Sequence, residues 1–261
     1  MDFERLHKHV FVIINQATRL IVVLNIVLIR IKVIHNTFSP YLSPERDVPP
    51  ELITELYQEF SSSRPYSLYF DTRHFINGVR TYKKAMSTNK HPEFGRLVVG
   101  IITNSDDRVP SILESFDIRI GPKRVGTSSQ VPAQPSRWHD IDFVVHSYDV
   151  GYEKPDRRIF DAATAMLSEK LAEEGKGESA DDFEKLYLGD DLENDYMGAK
   201  AAGWDAALIN RKSTMDKAER YAFEIAMMKD KEGNEREVWR AKSLLKVGRW
   251  QQMMLSDPTG E

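Results

Sequence analysis

Residues 185–207, KLYLGDDLENDYMGAKAAGWDAA, place carboxylates where chemistry can use them. The apolar run Leu186, Tyr187, Leu188 ends in Gly189, then in Asp190 and Asp191; Asp195 follows, and a helix of small residues closes at Gly203. The pattern predicts a buried strand that delivers carboxylates to a helix start. At the carboxyl end of a strand, beside the mouth of an open α/β sheet, such oxygens suit hard cations such as Mg²⁺. Acids in a first turn also favour the helix dipole, so this segment alone leaves metal binding and plain helix stabilisation both open.

Two upstream segments add groups of a different kind. Residues 96–107, RLVVGIITNSDD, read as a fully buried strand ending in Thr103, Asn104 and Ser105, whose side chains can bind an anionic oxygen or cap a helix. Residues 142–160, DFVVHSYDVGYEKPDRRIF, read as a second short strand and a turn, with Lys154 and Pro155 opening a helix. A lone Lys before Pro is ordinarily solvated. Taken in order, the three segments resemble the second, third and fourth motifs of the haloacid dehalogenase (HAD) superfamily. The matching features are an apolar strand ending in Thr-Asn, the Lys of K-P-D-x-x-I-F, and G-D-x-x-x-x-D followed by G-A-x-x-A-G.

The resemblance spans residues 66–213. It implies an α/β fold, a HAD-like Rossmannoid parallel sheet flanked by helices with a truncated helical cap. It also implies Mg²⁺-dependent phosphoryl transfer from a small phosphorylated substrate through an aspartyl intermediate. By the same resemblance, Thr103 would hydrogen-bond a phosphoryl oxygen, with Asn104 beside it in substrate binding. Lys154 would offset the charge shared by nucleophile and phosphate. Asp190 would bind Mg²⁺ directly, and Asp195 directly or through a metal-bound water. These roles make physical sense, because phosphoryl transfer needs cations and donors around the equatorial oxygens more than covalent help.

The family's first motif, an apolar strand ending in D-x-D-x-T or D-x-x-G-T, would carry the nucleophile and should lie upstream of Thr103. Only Asp2, Asp47 and Asp71 precede Thr103 as aspartates, and none is followed by the expected Gly-Thr pair. Asp71 comes nearest, after the run SLYF, yet Arg73 stands where a small or acidic residue is usual; Asp71 reads as a helix N-cap, a position Asp favours. The resulting expectation is a HAD-like hydrolase with impaired turnover. The alternatives are a non-catalytic HAD-fold or truncated gene product, and a membrane-tethered interaction protein acting through residues 10–34.

The N-terminal segment is foreign in composition. Residues 5–44 contain no acid, although the chain carries 40 Asp plus Glu in 261 residues. The run VFVIINQATRLIVVLNIVLIRIKVI admits three readings. A membrane span needs about 20 mostly apolar residues, but Asn15, Gln16, Thr18, Arg19 and Asn25 interrupt this one, and a central Arg costs roughly 2.5–3.5 kcal/mol on insertion scales. Its β-branched richness equally suits a strand. A sheet missing its central first-motif strand would leave orphaned backbone groups at about 1–3 kcal/mol each, so part of residues 10–34 is expected to fill that gap between the strands ending at Thr103 and Gly189. Thirdly, translated non-coding sequence would carry no selected function.

Four regions follow: a divergent apolar segment over 1–44, a remnant of the helical cap over 45–65, the core over 66–213 and a helical C-terminal extension over 214–261. Residues 120–136, rich in Gly, Pro and Ser, read as a loop. At 41% hydrophobic the chain can bury one good-sized core. A net charge of −4 without a long basic run argues against a nucleic-acid partner. No cysteine is present, which excludes disulfides and a thiol nucleophile and fits a reducing compartment, cytoplasmic or alternatively nuclear. The 7 His show no zinc spacing.

Overall fold

The computed structural model describes residues 9–14, 34–43, 46–87, 96–126, 139–175, 177–211 and 223–245. Its centre is one eight-stranded sheet in the order β3-β4-β2-β1-β5-β6-β8-β7. The strands are β1 (His9–Ile14), β2 (Leu97–Thr103), β3 (Ile120–Arg124), β4 (Ile141–His146), β5 (Phe183–Gly189), β6 (Asp205–Ile209), β7 (Phe223–Lys229) and β8 (Glu235–Ala241). All pairings are parallel except the terminal hairpin of β7 and β8. The near-continuous apolar runs of β2 and β5 are what a parallel sheet covered on both faces requires.

Two apolar layers form. On one face Val98, Ile102, Phe143, Val145 and Tyr187 pack with Ile159, Phe160, Ala163 and Leu167 of helix α5 (Arg157–Glu174). On the other, Val99, Ile101, Val144, Leu186 and Leu188 pack with Ile76 and Val79 of α2 (Phe70–Ser87) and with Val109 and Leu113 of α3 (Arg108–Glu114). Helix α1 (Pro50–Glu59), in the region expected to be a cap remnant, buries none of its residues. A short helix α4 (Ser147–Val150) leads out of β4, and α6 (Gly198–Ala201) precedes β6.

The N-terminal run supplies the central strand. β1 lies between β2 and β5, pairing Val12 with both Val99 and Leu186. The expectation of a substitute strand holds for residues 9–14; residues 15–33 of that run lie outside the described residues. No helix among the described residues is long and apolar enough to cross a membrane.

Two sequence expectations are corrected. Where a helical extension was expected, β7 and β8 form an antiparallel hairpin that extends the sheet, pairing Phe223 with Ala241 and Lys229 with Glu235, and Gly233 at φ +87° closes the turn between them. Residues 120–124, expected as loop, form the edge strand β3. An edge tolerates Pro122, and Gly121 packs so tightly on β4 that a Cβ there would stand 2.0 Å from the Asp142 carbonyl oxygen.

Candidate active site

The carboxyl ends of β2, β4, β5 and β6 meet along one edge of the sheet, and the chemistry-bearing residues gather there. Thr103 is the last residue of β2 and Gly189 the last of β5. After Gly189 the chain turns through a π-helical segment, Leu192–Met197, in which the Tyr196 N–H reaches the Asp191 carbonyl at 3.2 Å. The Asp191 carboxylate caps this segment, accepting from the N–H groups of Glu193 and Asn194. The wide turn brings Asp195 back against the strand end, which only glycine at 189 permits: a Cβ there would lie 2.3 Å from the Asp195 Cβ.

Asp195 is fully buried, and both its carboxylate oxygens are hydrogen-bonded to protein groups. Oδ1 accepts from Lys154 Nζ at 2.7 Å and from the Tyr187 hydroxyl at 3.1 Å. Oδ2 accepts from the N–H groups of Asp190 and Asp191, both at 3.0 Å. Lys154, 4% exposed, also donates to the Tyr187 hydroxyl at 2.9 Å. These two bonds leave the third ammonium hydrogen available. Burial, then the Asp195 charge, pushes the Tyr187 phenol far above its ordinary range, so it stays a neutral hydroxyl.

Lys154 is aimed by its neighbours. Asn104 clamps the Lys154 backbone from both sides, its Oδ1 accepting from the Lys154 N–H at 2.7 Å and its Nδ2 donating to the Lys154 carbonyl at 3.1 Å. Pro155 follows, and Asp156 caps α5 by accepting from the Arg158 N–H. Gly198 lies on Pro155, a Cβ there standing 3.1 Å from the Pro155 Cα, so the G-A-x-x-A-G helix and the K-P-D turn dock together.

Thr103, Asn104, Lys154, Asp190 and Asp195 are therefore brought to one edge. The Thr103 hydroxyl is buried with no hydrogen-bond partner. Asp190 is half-buried, its carboxyl raised by that burial first and by Asp195 next, with Arg211 opposing. Among the described residues no three His, Cys, Asp or Glu side chains converge to hold a metal ion. Of the three aspartates on this loop, Asp191 caps the π-helical segment and Asp195 pairs with Lys154, which leaves Asp190; Glu193 accepts from the Lys231 N–H.

Asp71 is corrected from its reading as an N-cap. It lies inside the first turn of α2, wholly buried; Oδ2 accepts from the Leu244 N–H at 2.8 Å and from Arg211 Nε at 3.3 Å, while Oδ1 has no partner. Arg211, just beyond β6, also stacks on the Tyr69 ring at 4.3 Å. Sequence reasoning missed Arg211 and also His146, the last residue of β4, buried with Nδ1 3.2 Å from Asp149 Oδ2. A polar residue ending an apolar strand was the available sign for His146.

No family model matches the chain. An uncharacterized Schizosaccharomyces pombe protein named as a hydrolase is 30% identical over 183 residues, 70% of this chain and 62% of that protein. The uncharacterized Saccharomyces cerevisiae protein YMR130W is 25% identical over 180 residues, 68% and 48% of the two chains. The bovine haloacid dehalogenase-like hydrolase domain-containing protein 3 is 24% identical over 164 residues, 63% and 48% of the two. The chain thus spans about half to three-fifths of the length of these relatives. Among solved structures, a HAD phosphatase from Thermococcus onnurineus is similar with a TM-score of 0.41 at 15% identity, covering 95% of this chain and 98% of that one.

Proposed function

We propose that the chain is a haloacid dehalogenase-like protein whose site binds a phosphoryl group with Mg²⁺ but hydrolyses phosphate esters poorly or not at all. The observation that carries this reading is the pairing of a buried, unpartnered Thr103 hydroxyl with a buried Lys154 at one sheet edge. Both are donors, and a phosphoryl oxygen is an acceptor of matching charge. Thr103 donates to one oxygen, and the third hydrogen of Lys154 to another. Asn104 holds Lys154 in place through its backbone.

The residues fit Mg²⁺ in part. Asp190 offers one half-buried carboxylate, and an ion that keeps several waters needs only one or two carboxylates together with phosphate oxygens. With both oxygens of Asp195 bonded to protein groups, its part is indirect: it fixes the Asp190 backbone N–H and neutralises Lys154. When bound, the ion would neutralise charge on the phosphoryl oxygens.

The missing part is the acceptor of the phosphoryl group. β1 occupies the central place between β2 and β5, and the residue that follows it in sequence is Asn15, an amide without a carboxylate's nucleophilicity. Losing an essential nucleophile costs several orders of magnitude in rate. Purified protein should therefore leave p-nitrophenyl phosphate unhydrolysed in Mg²⁺ while binding inorganic phosphate by calorimetry. Mg²⁺-dependent turnover well above background would overturn the impaired reading, and absence of phosphate binding would overturn the anion site.

A further inference from the structure

Two side-chain atoms at the carboxyl edge are buried without a hydrogen-bond partner on adjacent strands: Thr103 Oγ1 and His146 Nε2. The two residues are register partners in the parallel pairing of β2 with β4. Registered residues of neighbouring strands stand on the same face of a sheet. Thr103 shares its face with Ile101 and His146 with Val144, which belong to one apolar layer. The two residues therefore stand side by side on that face, closed off from solvent: Thr103 is 0% and His146 1% exposed.

The hydrogen-bond network around His146 fixes what its free nitrogen can do. Nδ1 faces Asp149 Oδ2 at 3.2 Å, and Arg124 grips the same carboxylate with Nε at 2.5 Å and Nη2 at 2.6 Å. An ionised carboxylate only accepts, so Nδ1 carries the hydrogen and Nε2 presents a lone pair. Burial first holds this imidazole below its ordinary range, against Asp149 pulling it up, which agrees with a neutral ring. Nε2 lies across the ring from Nδ1, directed away from Asp149 and Arg124. It is an acceptor that needs a donor.

We infer that His146 is a positioning residue for Thr103, and that the two are joined by one buried water that donates one hydrogen to His146 Nε2 and the other to Thr103 Oγ1. Water is the small group able to donate twice, and a polar gap between two orphaned groups is where buried water is held. The hydrogen bonds then have a direction. Because Nε2 can only accept, the water must donate; because the water donates to Oγ1, the threonine's own hydrogen is turned away from His146 and left for a phosphoryl oxygen. The chain Arg124, Asp149, His146, water, Thr103 thus sets the polarity of the hydroxyl assigned to phosphate. The link to phosphate rests on the proposed function; the link between Thr103 and His146 does not.

Two measurements separate these layers. In ¹⁵N-histidine-labelled protein, the His146 resonances, assigned by their loss in His146→Phe, should show the Nδ1–H tautomer, and Thr103→Val should shift the Nε2 signal without any ligand. An Nε2–H tautomer, or an Nε2 signal unmoved by Thr103→Val, overturns the inference whether or not phosphate binds. In calorimetric titration with inorganic phosphate, His146→Phe should weaken binding about tenfold. The same change in a Thr103→Val background should have no further effect, since the histidine acts through that hydroxyl. Equal losses in both backgrounds would mean a merely structural histidine and would also overturn it. If the unaltered protein binds no phosphate, the anion-site reading fails and the resonance test alone decides the pair.

Discussion

At the scale of single residues, the strongest commitment in this molecule is the buried ion pair of Lys154 and Asp195. Each charge is removed from water and offset by the other, and Tyr187 and two backbone N–H groups also donate to the carboxylate. Removing one partner strands the other. Asp195→Asn is therefore expected to destabilise the fold by about 3–5 kcal/mol, and combining it with Lys154→Met should restore part of that loss; urea unfolding of the single and double variants measures both. Asp140 makes a different prediction, in pH. Burial raises its carboxyl, but hydrogen bonds from Arg80 and Arg119 outweigh this and hold it at about 2 against an ordinary 3.8. A carboxyl depressed in the folded state stabilises it above the unfolded value, and that contribution disappears as the pH falls through the folded value. Stability should fall by roughly 2 kcal/mol between about pH 4 and pH 2 on this account. Asp140→Asn should flatten that part of an acid-unfolding curve; an unchanged slope would show that Asp140 does not govern it.

At the scale of elements, Gly189 decides whether the loop after β5 can place its acid. The wide turn through Leu192–Met197 folds Asp195 onto the strand end at a separation no side chain at 189 can share. Gly189→Ala should therefore act like a loss of Asp195, lowering stability by several kcal/mol and weakening phosphate binding, in contrast to Gly78→Ala, where a Cβ meets open space. Circular dichroism melts of the two variants compare them directly. Much of this edge was legible in the sequence, because apolar runs that stop at Thr103 and Gly189 announce strands whose ends carry polar groups. The central strand was legible from the gap it had to fill. The hairpin was not: FEIAMMK and EREVWRA mix charge with Met and Trp in a way that fits a helical stripe as well as alternation. β3 was hidden by Gly121 and Pro122, which mark loops until an edge position explains them. Arg211 and His146 were invisible as partners, since Arg211 meets Asp71 and His146 meets Thr103 only through the folded sheet.

At the scale of the whole molecule, one continuous sheet ties together segments from both ends of the chain, and β1 sits in its middle. His9 pairs with Phe183, and Val10 with Leu97. The strand that closes the centre is thus synthesised well before one of its two neighbours, since β1 ends at Ile14 and β5 begins at Phe183. A ribosome adding about 5–20 residues each second leaves β1 without β5 for on the order of ten seconds. Through that interval its backbone groups have half their eventual strand partners, and contacts so distant in sequence are slow to form even in the complete chain. Refolding from denaturant should accordingly show an early phase reporting β2 and β4 and a later one reporting β1 with β5. Pulsed hydrogen exchange would resolve the order, and simultaneous protection of β1 and β2 would contradict it. A central strand left waiting for its later neighbour is open to wrong pairing during synthesis, so the yield of this chain in a cell should follow translation speed and temperature as well as final stability.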